Sequence, residues 1–185
     1  MKSLIGFLLI FISSLAWARF EIQTSSGYDS YSDGKSKNTF SNMSNHLFIG
    51  ASLDLKQKLL IGNNVSQVSV GLKSNNNDTF SVLEVGPKVL YYFDEDYLFY
   101  TAVAWNPYVK GDRKVAGAAS ETISGWGYLA TFGASMKINR NFAMGFSINY
   151  HSISITESVV STTASEVSES YSTIMPMINV TLRFR

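Results

Sequence analysis

"RNFAMGFSINYHSISI", Arg140 to Ile155, is the stretch that decides how this chain folds. Every even position from Phe142 to Tyr150 is large and apolar: Phe142, Met144, Phe146, Ile148, Tyr150. The odd positions between them are small or polar: Ala143, Gly145, Ser147 and Asn149, followed by His151. Alternation with a period of two is a strand with two unlike faces. What it leaves open is which face looks inward.

Three other strands answer that. "GWGYLATFGASMKI" sets Trp126, Tyr128, Ala130, Phe132, Ala134, Met136 and Ile138 against Gly125, Gly127, Thr131, Gly133, Ser135 and Lys137. Leu47, Ile49, Ala51, Leu53 and Leu55 oppose Phe48, Gly50, Ser52, Asp54 and Lys56. Near the end, Ile174, Pro176, Ile178, Val180, Leu182 and Phe184 oppose Thr173, Asn179, Thr181 and Arg183. If the apolar faces made a soluble core, the whole outer surface would be glycine and serine. The inverse explains the pattern: large apolar side chains face lipid, and small or polar ones fill a narrow barrel. Lipid also demands closure, because an open sheet edge cannot be hydrogen-bonded in hydrocarbon.

Alternation recurs along the chain and predicts eight strands, at 20–31, 43–56, 58–73, 79–93, 97–110, 122–138, 142–156 and 170–185. Short connections ("KQK", "DED", "NRN") take turns with long polar ones ("SDGKSKNTFSN", "SNNND", "GDRKVAGAASE", "ESVVSTTASEVSE"). That rhythm belongs to an up-and-down meander whose two ends meet different compartments. The segment "TTASEVSESYS" alternates weakly, so strands seven and eight are expected to continue above the membrane as a hairpin. Three strands are less regular. The third changes phase around Val65 to Val68, read as a bulge; the fifth is apolar on both faces; the first is weakly patterned. Pro87, Pro107 and Pro176 each remove a ladder donor and require bulges or strand ends.

Met1 and Lys2, the apolar run "LIGFLLIFI" and the small residues of "AWA" read as a secretory signal peptide over 1–18, leaving 19–185 as one domain. Lys2 accounts for the formal net charge of +1, so the remainder is neutral and offers no electrostatic case for nucleic acid. With no cysteine, disulfides cannot supply the stability of an exported chain. Aromatic residues make up 14% and charged residues 16%, a balance suited to a lipid-facing surface. Tyr91, Phe93 and Phe142 fall toward the short turns, and Trp126, Tyr128 and Tyr150 toward the long connections. Rings at two levels suit two membrane interfaces.

Three segments carry a resemblance: "FSVLEVGPKVLYYFDEDYLFYTAVAW", "GYLATFGASMKINRNFAMGFSINY" and the closing "INVTLRFR". The chain resembles the small bacterial outer-membrane β-barrels of the OmpX, OmpW and OmpA transmembrane-domain type. The resemblance implies an all-β fold, an eight-stranded antiparallel up-and-down transmembrane barrel, with both termini in the periplasm. It implies outer-membrane lipids and the barrel-assembly machinery as partners, with a surface ligand reached through the long connections. The usual assembly signal ends on an aromatic residue; here Phe184 is penultimate and Arg185 follows.

The inward faces carry Asp54, Lys56, Glu84, Lys88, Lys137 and Arg183. In a lumen just wide enough for side chains, opposite charges are expected to pair, Glu84 with Lys88 foremost, as a polar plug. A narrow ion path through these charges is the alternative. "YHSIS" raises a lipid hydrolase, since barrel hydrolases place His and Ser two apart on one face. Here Ser152 and Ser154 fall on the opposite face from His151, so no base–nucleophile pair forms. His46 lies at no metal-ligand spacing, and no metal or cofactor is expected.

Overall fold

The computed structural model describes residues 19–32, 39–54, 56–72, 79–114, 117, 119–160 and 163–184. The expected signal peptide and Arg185 lie outside them. The strands are β1 (Phe20–Ser32), β2 (Thr39–Ser52), β3 (Leu59–Leu72), β4 (Thr79–Tyr92), β5 (Phe99–Lys114), β6 (Glu121–Lys137), β7 (Phe142–Val160) and β8 (Thr163–Phe184). Each pairs antiparallel with its sequence neighbours, and β8 returns to β1 to close the barrel. The expected eight-stranded meander is therefore the fold.

Side chains sort as the alternation requires. Phe146 (71% exposed), Ile174 (66%) and Met136 (65%) project outward, within an outer belt that also carries Phe132, Ile148 and Ile178. Of the predicted outer aromatics, Tyr91, Phe93, Trp126, Tyr128, Phe146, Tyr150 and Phe184 stand exposed outside, and Phe142 is half-buried. Water cannot hold so much contiguous apolar surface apart; hydrocarbon can.

The strands outrun their predicted limits at the long-connection end. β2 begins at Thr39, β5 reaches Lys114, β7 reaches Val160 and β8 begins at Thr163. The β7–β8 ladder runs unbroken in topology past a bulge at Ile155/Glu157 to Val160↔Thr163, forming the expected hairpin. Where both faces of a ribbon are wet, the hydrophobic contrast that reveals a strand disappears, although the ladder bonds remain.

β3 overturns an expectation. It contains no bulge: its pairing with β2 and with β4 is continuous along its length. The phase change in its sequence arises because Val68 and Val70 face an apolar part of the lumen, while Asn63 and Gln67 face out. The strand keeps its faces; the filling of the barrel changes with height. The irregularity sits instead on β5, where the register shifts on both sides around Pro107. Inward residues change there from even (Ala102, Ala104, Asn106) to odd (Val109). A proline that cannot donate to the ladder marks the bulge. Pro176 lies just beyond the end of the closing ladder, which pairs Phe20–Ser26 with Phe184–Ile178.

The three short turns share one device. Asp54 Oδ1 accepts from the Leu59 amide (2.8 Å), and Gln57, in the left-handed region at φ 57°, donates its amide to the Asp54 carbonyl (3.0 Å). Asp94 accepts from the Leu98 (2.8 Å) and Phe99 (2.7 Å) amides, with Tyr97 at φ 58°. Asn139 Oδ1 accepts from the Asn141 and Phe142 amides, both at 2.9 Å. In each, a short polar side chain replaces a ladder partner where the chain reverses. Partial burial works against ionisation of Asp94, but the Leu98 and Phe99 amides outweigh it and hold its carboxyl below the ordinary value.

Candidate functional site

The lumen is filled in layers. At the short-turn end, Glu21 is fully buried and gathers the charges around it. Arg19 Nη2 lies 2.7 Å from Glu21 Oε2, Arg183 Nε lies 3.4 Å from the same oxygen, and the Tyr92 hydroxyl donates to Oε1 at 2.6 Å. Arg183 Nη2 also donates to Ser135 Oγ (3.2 Å) and the Tyr97 carbonyl (3.4 Å). The Arg19 guanidinium lies 4.0 Å from the Tyr97 ring centroid and 4.9 Å from that of Tyr92. Two cations around one carboxylate are thus held partly by aromatic faces.

Above lies an aromatic and aliphatic cluster of Phe48, Leu60, Leu90, Tyr92, Tyr100 and Ala102. Tyr100 lies flat across Gly133: a Cβ there would sit 2.4 Å from the ring. Its hydroxyl accepts from Asn179 Nδ2 at 2.7 Å, and Asn179 Oδ1 accepts from Ser147 at 3.1 Å. Tyr100 is the partner of Gly133 in the β5–β6 ladder, and Gly127 of β6 likewise leaves room for the Glu84 carboxylate from β4.

The next layer is polar. His151 Nε2 lies 2.8 Å from Glu84 Oε1, and Asn106 Nδ2 donates to Glu84 Oε2 at 2.8 Å. The His46 ring bonds Ser66 Oγ through Nδ1 (2.7 Å) and Ser44 Oγ through Nε2 (3.3 Å). Asn64 donates to Ser66 Oγ at 2.6 Å. The two imidazole centroids stand 5.4 Å apart. A second apolar cluster, Val68, Val82, Val109, Ile123, Ile153 and Ile155 with Phe80, Val167 and Tyr171 against it, seals the layer from the long-connection end.

At the rim, Arg113 bridges Glu121 (2.7 Å) and Glu169, tying the β5–β6 hairpin to β8. The hydrogen bonds from Arg113 and then from Ser158 hold the Glu121 carboxyl below its ordinary value.

Of the predicted lumen residues, Glu84, Lys88 and Arg183 are buried inside the barrel. They do not meet one another. Glu84 pairs with His151 on β7, Arg183 with Glu21 on β1, and Lys88 approaches the Phe48 ring at 5.2 Å. Among the described residues no ion pair joins Lys88 to Glu84. The expected partnership fails because residues four apart on one strand stand at different heights, and partners at equal height come from other strands. Asp54 is not in the lumen: β2 ends at Ser52, so alternation no longer governs it and it caps the turn. Lys137, the last residue of β6, is exposed at the rim, where its long stem reaches water. Lys56 is likewise exposed in the turn.

Arg19, Glu21, Tyr92, His46 and His151 complete the network and were not singled out as lumen partners by sequence. A signal for the first two was present, since Arg19, Glu21, Gln23 and Ser25 alternate with Phe20, Ile22 and Thr24. His151 faces inward to Glu84. Among the described residues, no three of His, Asp and Glu converge as a metal site.

No protein-family model matches the chain. No curated protein matches it either. Among solved structures it is similar to Neisserial surface protein A (NspA), at 14% identity and a TM-score of 0.57, covering 90% of this chain and 99% of that one. The β-domain of the Bordetella autotransporter BrkA is aligned over 91% of this chain and 99% of its own, at 10% identity and a TM-score of 0.39. The likeness to the first establishes the fold alone: this is the fold of the small bacterial outer-membrane β-barrels.

Proposed function

We propose that this chain is a non-enzymatic outer-membrane barrel, closed at neutral pH, that serves envelope integrity or surface contact through its protruding end. The observation that carries this reading is the stacked filling of the lumen: an ionic layer, an aromatic layer, a polar layer and an apolar seal. A lumen packed in this way supports a barrel closed to water, and an outward apolar belt requires hydrocarbon. Outer-membrane lipids are the partners of that belt, and the barrel-assembly machinery is its route of insertion. One solved structure of this fold bears the name of a surface protein, and the β5–β6 and β7–β8 hairpins here offer polar surface.

The test is single-channel recording of refolded protein in a planar bilayer near neutral pH. Silence from inserted protein supports the closed barrel; discrete openings favour the alternative, a narrow channel or conduit for small or hydrophobic molecules of the OmpW type. Replacing Ser152 and Ser154 by Ala should leave every property unchanged, and a lipase activity lost on that change would restore the hydrolase reading.

A further inference from the structure

The outer belt is not apolar all the way round. Below the level of Tyr128 and Tyr150, the outward positions of β6, β7 and β8 are apolar, Phe132, Phe146 and Ile178 among them. So are those of β4 from Leu83 to Tyr91. On β1, β2 and β3 the belt carries Thr24, Ser26, Asn45, Asn63 and Gln67; Asn45 is half-buried and the others are exposed. They do not lie at the rim. Ser26, Asn45 and Gln67 are successive partners across the ladders, in a row that ends on Ile178 of β8 and Leu83 of β4. Thr24 stands between Leu47 and Val180, and Asn63 between Ile49 and Pro87. Ser26 Oγ donates to Asn45 Oδ1 at 2.8 Å. Among the described residues, the Asn45 amino group and the side-chain amides of Asn63 and Gln67 have no hydrogen-bond partner. Thr101, outward on β5, differs: its hydroxyl donates to the Thr131 carbonyl at 3.0 Å.

We propose that the outward wall of β1, β2 and β3 is a dimer interface within the membrane, and that its occupant is a second copy of this chain. The proposal rests on the placing of the outer belt in lipid, and holds whether or not the lumen conducts. Hydrocarbon offers neither donor nor acceptor, so an unpaired amide turned toward it costs free energy. The ladders satisfy the backbone of these strands but leave the side chains facing acyl chains. An amide both donates and accepts, so a patch of amides and hydroxyls is complementary to itself. The outward positions of β1, β2 and β3 carry no charged side chain, so a partner bearing a charge finds nothing to match there. A two-fold axis along the membrane normal beside β2 sets that strand against β2 of the second copy. β1 then faces the copy's β3, because strand order runs the same way round in both barrels. Asn45 comes to its own counterpart near the axis. The hydroxyls of Thr24 and Ser26 turn toward the strand that carries Asn63 and Gln67. Leu47, Ile49 and Val65 supply apolar contact between these polar groups. The opposite wall, centred on β6, has nothing to gain from a partner and keeps its lipid.

The chain has no cysteine, so a single introduced thiol reports a single place. Leu47→Cys sits on the outward face of β2 and leaves the polar side chains intact. Full barrel carrying it, refolded into phosphatidylcholine vesicles at high lipid excess and treated with an oxidant, should become a disulfide-linked pair. Phe132→Cys on the opposite wall should stay single under the same treatment. Donor- and acceptor-labelled barrels, tagged through Phe132→Cys, should keep their energy transfer as lipid is added. The triple variant Asn45→Leu, Asn63→Leu, Gln67→Leu should lose that transfer while keeping the heat-dependent gel mobility of a folded barrel. If the triple variant does not fold, Asn45→Leu alone should weaken association about tenfold. Three results overturn the dimer: inserted barrel with neither linkage nor transfer, equal linkage through Phe132→Cys, or transfer unchanged in a folded variant. The first of these leaves the polar wall to a different membrane protein. Protein that an alkaline wash strips from the vesicles overturns the membrane reading itself, so the two failures are distinct.

Discussion

Glu21 shows how much a single buried side chain can organise. It is the carboxylate on which Arg19, Arg183 and Tyr92 converge, and it has no exposure to solvent. Glu21→Ala strands two guanidinium groups in the lumen, so stability should fall by about 3–5 kcal/mol, read from urea unfolding in lipid vesicles. Lys88 is the opposite case, a buried cation beside a phenyl ring with no ion-paired carboxylate among the described residues. Lys88→Met keeps the stem and removes the charge; unfolding under the same conditions should require more urea, a gain of about 1–4 kcal/mol. Gly133 tests packing. A side chain there must push Tyr100 off its seat and break its bond from Asn179, so Gly133→Val should cost about 1–3 kcal/mol. An unchanged unfolding midpoint would show that the lumen is looser than its contacts indicate.

Among the elements, the β7–β8 hairpin is tied to its neighbours at the rim by charge. Its ladder runs to Val160↔Thr163, β7 stays paired with β6 as far as Glu121↔Val160, and Arg113 joins Glu169 of β8 to Glu121 of β6. Glu121 is the titrating member, with a carboxyl lowered in the folded state by Arg113 and Ser158. A lowered carboxyl contributes stability that is present above its ordinary value and is lost as pH falls through the folded one. Amide exchange in the hairpin, taken relative to the intrinsic rate at each pH, should therefore quicken on acidification below the ordinary carboxylate range, while that ratio in the lower strands stays low. Arg113→Ala should produce that quickening at neutral pH. The pair is partly exposed and worth little globally, so the unfolding midpoint should hardly move.

At the scale of the molecule, closure unites the outer belt and the layered lumen. The belt makes lipid the solvent, and closure leaves no strand edge unsatisfied in it along Phe20–Ser26 and Ile178–Phe184. Protein expressed from the full sequence should stay with the membrane fraction through an alkaline wash. Release into the soluble fraction without detergent would contradict the membrane reading outright.

What the sequence by itself determined is the wall. Phe142 to Tyr150 could be assigned a face because alternation is local, with the two sides of a strand set residue by residue. The short turns were legible for the same reason, as reversals marked by Asp94 and Asn139. Height was not legible. Whether an inward residue meets an ionic layer, an aromatic seat or an apolar seal depends on tilt, on register and on the bulge at Pro107, all properties of the closed ring. So Glu84 and Lys88 looked like partners along one strand, and only the tertiary structure gave Glu84 to His151, Arg183 to Glu21 and Asp54 to a turn. Sequence distance measures separation along a strand, while a lumen pairs side chains across it.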